Sequence, residues 1–469
     1  MSAPVTVTLG WLSEQAAGRL LSGDAQSVIG AVATDTRTLG PGDFFVALRG
    51  PRFDGNAFVG EAIDKGARGA LVDAGFEPRA DLLTRAAIVQ AADTTRALQD
   101  VAHAVRVASG TRVIAITGSA GKTTTKETIA AFLGDRFRVV RNRGNLNNHI
   151  GLPISLMQLR DGPDVAVMEL GMNHAGEIST LVAIAEPDVR VWTNVGDAHL
   201  GFFQSADTIA DAKAEILERA NARTVLICNA DDPYVMARVG RFPGRRVTFG
   251  AADGADVRAT DIEDRGVDGM RARVSTAAGE ATIQTPLLGR GNLSNVLAGI
   301  AVAVDAGVPL SHVEDVASRL QPADHRGAVH RLKGGVTLID DSYNSSPTAL
   351  LRALEVVARE TRATRKVAVL GEMLELGHAA AAKHEECGRA AAQAGLRMLV
   401  AIGGPPARAL AHAAVAAGMA ASAVTYVERS EQAAEVVKSA LRPGDLVLVK
   451  GSRGIRTDVV VERIMAEFA

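Results

Sequence analysis

The sequence predicts an α/β protein of three domains, and three observations carry that prediction. At 469 residues the chain is too long for one hydrophobic core. Twice along it, β-branched runs alternate with helical patterns, the signature of a parallel sheet covered by helices. The first of those runs, RVIAIT, ends in a glycine-bearing turn that opens a helix, which is the layout of a phosphate loop. The domains are expected at residues 1–110, 111–322 and 323–469. They read as a mixed α/β domain, a central P-loop-type domain on a parallel sheet, and a C-terminal Rossmann-like α/β domain.

Each element follows in order. Residues 1–110 mix short β-like pieces with turns, as in TDTRTLGPGDFFVALRGPRFDGNAF, and close with a helical pattern from about Thr94 to Ala108. From Arg112 to about Gly250, strands are read in RVIAIT, DVAVMEL, VRVWTNV and RTVLICN, each followed by a helix candidate. Gly and Asp punctuation over 251–288 predicts antiparallel hairpins, and a helix follows from about Asn292 to Ala306. After Pro322 the alternation restarts in VTLIDD, KVAVLG, LRMLVAIG and DLVLVKG, among alanine-rich helix patterns.

Composition narrows the function. A formal net charge of −2 leaves no global basic field for a nucleic-acid backbone. No apolar run approaches the roughly 20 residues of a membrane span. The start, MSAPVTVTLGWLSEQ, has neither the basic region nor the apolar core of a signal peptide. Two cysteines, Cys228 and Cys387, make no disulfide framework or zinc cluster. A cytoplasmic enzyme or nucleotide-binding protein is expected, as a monomer.

The stretch AITGSAGKTTTKE, residues 115–127, carries the chemistry. Backbone N–H groups in such a turn point at phosphates, and the helix dipole adds partial positive charge. Lys122 has the reach for the β- and γ-phosphates, and the Thr123 hydroxyl suits Mg²⁺. Position 116 is Ile rather than Gly, so the motif is a shortened G-x-x-G-K-T over Gly118–Thr123. A tight βα turn with an incidental lysine is the alternative; the buried-type strand before it and the helix after it favour ATP or GTP. Further along, Glu169 ends DVAVMEL, and Asn194 and His199 follow VRVWTNV. Ligands gather at the carboxyl ends of strands in open α/β sheets, so these residues and the loop are expected at one mouth, suited to a phosphate-bound Mg²⁺ or Mn²⁺. On spacing alone a solvated glutamate and a turn-capping histidine are equally good readings. Lys213, in IADAKAEI, reads as a solvated helix lysine, and His384 and Cys387 as a helix surface with a buried thiol.

Taken together, the chain resembles the Mur ligases, ATP-dependent amide-forming enzymes of peptidoglycan precursor synthesis. The resemblance runs in order through TDTRTLGPGDFFVALRGPRFDGNAF, TGSAGKTTTKE, GNLNNHIGLPISLMQL, MELGMNHAGEI, TNVGDAHLGFFQSADTIADAKAEI, LLGRGNLSNVLAGIAVA, DDSYNSSPTAL, VLGEMLELG and LVKGSRG. DDSYNSSP, with Asn344 where related ligases carry histidine, and the lack of a DNPR motif resemble the branch that adds D-alanyl-D-alanine to UDP-N-acetylmuramoyl-tripeptide. That implies ATP and Mg²⁺ as cofactors and an acyl-phosphate route.

The resemblance also implies residue roles. Gly118, Ser119, Ala120, Gly121, Lys122, Thr123 and Thr124 would hold the ATP phosphates. Thr123, Glu169, His199 and a carbamylated Lys213 would face the metal. Asn292 and Asn295 would lie on the adenine side. Arg326 would meet the γ-phosphate, with Asp341 and Asn344 arriving beside ATP from the third domain. Lys122, Lys213, His199 and Arg326 are the expected catalytic set. Asp35, Thr36, Arg37, Asp54, Gly55 and Asn56 would receive the UDP-sugar. Departures from the family pattern are His149 for an acidic residue, Asn56 for the histidine of DGH, PADHRG for a more regular P-x-x-G-R, and GSRGIRTD without its usual Met-Glu pair. The rival readings are a family member adding a different amine and an ATPase switch that only hydrolyses nucleotide.

Overall fold

Buried β-branched runs form the sheets of this molecule, and the helices between them cover the sheet faces. The computed structural model describes residues 2–51, 53–197 and 201–468. His199, an expected metal ligand, lies outside the described residues.

Residues 19–91 build a five-stranded sheet in the order Arg19–Ser22, Ala87–Ala91, Gly69–Asp73, Phe44–Val46, Val32–Ala33. The helix Thr94–Ser109 leads out of it, capped at its start by the Asp93 carboxylate and ended by Gly110 in the left-handed conformation.

The central sheet has nine strands. Arg112–Thr117 lies between Val165–Glu169 and Val189–Trp192, all parallel, with Glu169 opposite Ile116 and Trp192 opposite Thr117. This register brings three carboxyl ends to one level. The far edge is antiparallel, through Val257–Asp264, Met270–Thr276 and Gly279–Thr285, where hairpins were expected. Strands such as Val165–Glu169 are buried at every position, as both-face coverage requires. The helix Gly289–Asp305 packs on the phosphate-loop helix Lys122–Gly134. Gly299 permits the close approach, since a Cβ there would lie 2.6 Å from Thr128 Cγ2.

The third sheet has six strands, Ala328–Arg331 antiparallel at one edge and the rest parallel. One expectation needs correcting here. His384 is not on a helix surface: it is as buried as Cys387, with Nδ1 at 2.7 Å from the Ala380 carbonyl and Nε2 accepting the Met373 N–H at 2.9 Å. Both ring nitrogens are satisfied, so burial carries no unpaired polar group.

Candidate active site

The turn after Arg112–Thr117 needs glycine. At Gly121 φ is +83°, and a Cβ would lie 2.1 Å from Asn295 Oδ1; at Gly118 it would lie 1.9 Å from Thr193 Oγ1. The loop after Val189–Trp192 braces the turn. Asn194 accepts the Ser119 N–H on its carbonyl (3.0 Å) and the Ala120 N–H on Oδ1 (2.9 Å), and its Nδ2 donates to the Ala120 carbonyl (2.9 Å). Thr193 Oγ1 donates to the same carbonyl at 2.8 Å. Both ends of the Asn194 side chain are used in holding the loop, so it braces the cradle rather than offering itself as a ligand. Helix Lys122–Gly134 opens directly from the turn, and among the described residues no side chain caps it. Its first N–H groups are left for an anion.

Around this cradle the charges are arranged with little compensation. Lys122 Nζ donates to the Gly118 carbonyl at 2.8 Å. Burial lowers its pKa, the Glu169 carboxylate opposes that, and the Arg326 guanidinium adds to it. Glu169 is 4% exposed; its Oε2 accepts from Thr123 Oγ1 (2.8 Å) and its Oε1 from Asn147 Nδ2 (2.9 Å). Lys213, in helix Ala206–Ala214, is 1% exposed, and among the described residues its amine has no hydrogen-bond acceptor. Burial, with the Lys122 charge nearby, pushes its pKa well below the ordinary lysine value. The solvated helix lysine that spacing alone suggested is therefore replaced by a buried amine facing the phosphate-loop lysine.

The third domain supplies the opposite wall. Arg326 stacks 4.1 Å above the Tyr343 ring. Asp341 ends strand Thr337–Asp341, and Lys450 ends its parallel neighbour Asp445–Lys450. Lys450 Nζ lies 2.7 Å from Asp341 Oδ2 and donates to the Asn344 carbonyl at 2.9 Å. Burial raises the Asp341 pKa, and Lys450 counters it. On the other side, Asn295 Nδ2 donates to Asn292 Oδ1 at 3.1 Å.

Between these walls is a cleft of about 770 Å³, a size suited to a nucleotide. Ser119, Ala120, Gly121, Lys122, Thr123 and Thr124 line it, with Glu169, Asn292, Asn295, Arg326, Asp341 and Asn344. Gly118 is not in the lining, and neither is Lys213. Three further residues at the site went unassigned in the sequence. Asn147 orients Glu169, Tyr343 carries Arg326, and Lys450 neutralises Asp341. A lysine at the carboxyl end of LVLVK was the available signal for the last.

The six residues expected to receive a UDP-sugar are elsewhere, in the turn that follows strand Val32–Ala33 of the first sheet and at the start of the short helix Gly55–Phe58. Asp35 pairs with Arg37, which holds the Asp35 carboxyl down to about 2. Thr36 gives its carbonyl to Lys65 Nζ at 3.0 Å. Asp54 caps the short helix Gly55–Phe58 by accepting the Asn56 N–H at 3.0 Å, and Gly55 N–H reaches the Leu48 carbonyl. Lys65 follows the helix Val59–Asp64 that continues from that turn, so the two groups flank one helix.

Among the described residues no group of three or more His, Cys, Asp or Glu side chains could hold a metal ion. Among the described residues no helix is long and apolar enough to cross a membrane.

Three family models match: the Mur ligase family catalytic domain over residues 28–116, the Mur ligase middle domain over 116–303, and the Mur ligase glutamate ligase domain over 325–453. Similar curated proteins are the UDP-N-acetylmuramoyl-tripeptide–D-alanyl-D-alanine ligases of Bacillus subtilis (33% identical, 94% of each chain) and Treponema pallidum (36%, 90% of this chain and 91% of the relative). Among solved structures, MurF from Acinetobacter baumannii superposes with a TM-score of 0.87 at 31% identity, over 99% of both chains. MurF from Thermotoga maritima in complex with ADP superposes at 0.80 and 29% identity, over 94% of this chain and 98% of that one.

Proposed function

Because the chain belongs to the Mur ligase family, we propose that it joins D-alanyl-D-alanine to UDP-N-acetylmuramoyl-tripeptide with cleavage of ATP to ADP and phosphate. The product is the UDP-N-acetylmuramoyl-pentapeptide, a peptidoglycan precursor, made in the cytoplasm. The observation that carries the proposal is the charge of the cleft. Lys122 and Arg326 converge there with Glu169 as the near carboxylate, and the buried Lys213 lies behind the lining within the field of Lys122, which suits a polyanion meeting a carboxylate. The relatives named above and the DDSYNSSP stretch without DNPR favour this amine over the one added by the neighbouring ligase.

In this reading the loop N–H groups and Lys122 hold the β- and γ-phosphates. The donor's terminal carboxylate oxygen attacks the γ-phosphorus, the bond to ADP breaks, and an acyl phosphate forms. The amine of D-alanyl-D-alanine then attacks the acyl carbon, loses a proton, and phosphate leaves as the tetrahedral adduct collapses. Bringing phosphate and carboxylate anions together costs several kcal/mol in a partly dry site, and Lys122 and Arg326 offset that repulsion. Asp341, Asn344 and Lys450 form the third-domain wall that keeps water from the acyl phosphate.

The donor set fits magnesium: a buried carboxylate faces a threonine hydroxyl at 2.8 Å, hard oxygen ligands that leave positions for phosphate. Thr123, Glu169 and His199 would hold the ion, which when bound neutralises charge between nucleotide and donor. Lys213 fits carbamylation, because its burial, with the Lys122 charge nearby, holds the amine toward the neutral, CO₂-reactive form. Asp35, Thr36, Arg37, Asp54, Gly55 and Asn56 form the surface for the UDP-sugar. The test is mass spectrometry of the reaction with ATP, donor tripeptide and D-alanyl-D-alanine. The pentapeptide is expected only with all three; phosphate release without the amine would instead favour a nucleotide switch.

A further inference from the structure

The third domain meets the central domain at the loop that braces the phosphate loop, and does so through three elements. A Cβ at Gly196 would lie 3.1 Å from Thr348 Oγ1, in helix Pro347–Arg359. Gly201 donates its N–H to the Glu375 carbonyl at 2.7 Å. Asp197 Oδ2 lies 2.8 Å from Nζ of Lys383, in helix Ala380–Gln393. The next residue on that helix is His384, whose Nε2 fixes the Met373 N–H in the turn that carries Glu375. One helical turn thus holds a third-domain loop with one side chain and a central-domain loop with its neighbour.

Inward from Asp197 the path to the nucleotide is short. Gly196 N–H donates to Ser119 Oγ at 2.8 Å, and Asn194 holds the backbone of Ser119 and Ala120. Neither Asp197 nor Lys383 lines the cleft.

We propose that Lys383 and Asp197 form an interdomain positioning pair that registers the third domain against the phosphate loop, so that nucleotide affinity depends on a contact outside the nucleotide site. The proposal rests on the nucleotide reading of the cleft. Apparent affinity scales with the fraction of molecules in the binding-competent arrangement, and the pair raises that fraction. Both side chains are partly exposed (27% and 29%), so the pair shifts the equilibrium about two- to fivefold rather than by orders of magnitude. Lys383 also reaches Glu386 at 3.1 Å, but that contact stays within its own helix and cannot couple the domains.

The experiment is calorimetric titration with ADP of the full chain, wild type and variants, with thermal unfolding to verify folding. Lys383→Met and Asp197→Asn should each weaken ADP binding roughly two- to fivefold, and the double variant should be no weaker than the weaker single. Lys383→Arg and the swapped pair (Lys383→Asp with Asp197→Lys) should recover most of the affinity, the deficit of the singles should shrink at high salt, and Glu386→Gln should match wild type. Singles within about 1.5-fold of wild type, or losses that add in the double variant, overturn the pair. Because the readout is ADP binding, absence of ligase turnover would count against the proposed reaction and not against the pair. A wild-type chain that binds no ADP overturns the pair together with the nucleotide reading.

Discussion

Replacing Gly121 with alanine tests the phosphate cradle at its tightest point. The residue has φ +83°, a conformation that costs an alanine about 1–2 kcal/mol. The added Cβ would lie 2.1 Å from Asn295 Oδ1, 2.8 Å from its Cγ and 2.9 Å from its Nδ2. All three carboxamide atoms are too close for a small tilt to relieve, so Asn295 must leave and its hydrogen bond to Asn292 goes with it, at about 1 kcal/mol. Holding phosphates on the loop N–H groups requires this conformation of the turn. Most of the combined penalty, about 2–3 kcal/mol, therefore appears in binding, as a roughly 30- to 150-fold rise in the Kd for ADP. Calorimetric titration measures it, and thermal unfolding checks that the fold survives. A Gly121→Ala chain binding ADP as tightly as wild type would refute the packing argument and the assignment of Asn295 to this site.

Other outcomes follow from the same geometry. Lys213→Ala should abolish ligation, and bicarbonate or a short carboxylic acid should restore part of it; a near-wild-type rate in the phosphate assay would remove the carbamate from the account. Lys450→Met strips the partly buried Asp341 carboxylate of its buried cation, a loss of about 1–3 kcal/mol. It should lower the unfolding midpoint by several degrees, and adding Asp341→Asn should return part of that; no recovery in a thermal melt would contradict the pairing. Arg362, with the Arg362 and Val267 N–H groups, holds the Glu360 carboxyl down to about 2 from an ordinary 4.5. A lowered carboxyl pKa stabilises the folded state above its ordinary value. The melting difference between wild type and Glu360→Gln should thus be full above about pH 4.5 and fade as pH falls toward 2; a difference independent of pH would refute it.

Much of the fold was legible because each signal was local. RVIAIT, DVAVMEL and VRVWTNV are buried strands whose composition alone marks them, and the turn Gly118–Thr123 announces itself by spacing. Glu169 at a strand end was likewise readable as a neighbour of the loop. What spacing could not supply was burial and partnership across the chain. Lys213 looked like any helix lysine, and only the fold buries its amine within the field of Lys122. His384 looked exposed because its partner, the Met373 N–H, is brought to it by tertiary packing. Asn194 was read as a ligand because its position was right, but its hydrogen bonds run to Ala120. Lys450 waits 109 residues from Asp341, and only the pairing of their strands joins them.

The most direct test of the central claim is phosphate release from ATP with two substrate pairs compared side by side. One pair is UDP-N-acetylmuramoyl-tripeptide with D-alanyl-D-alanine; the other is the UDP-muramoyl dipeptide with diaminopimelate or lysine. The account predicts turnover of the first pair alone, with phosphate release dependent on both partners. Turnover of the second pair would contradict it, showing that DDSYNSSP and the missing DNPR do not select the amine, while leaving the fold and the phosphate cradle as described.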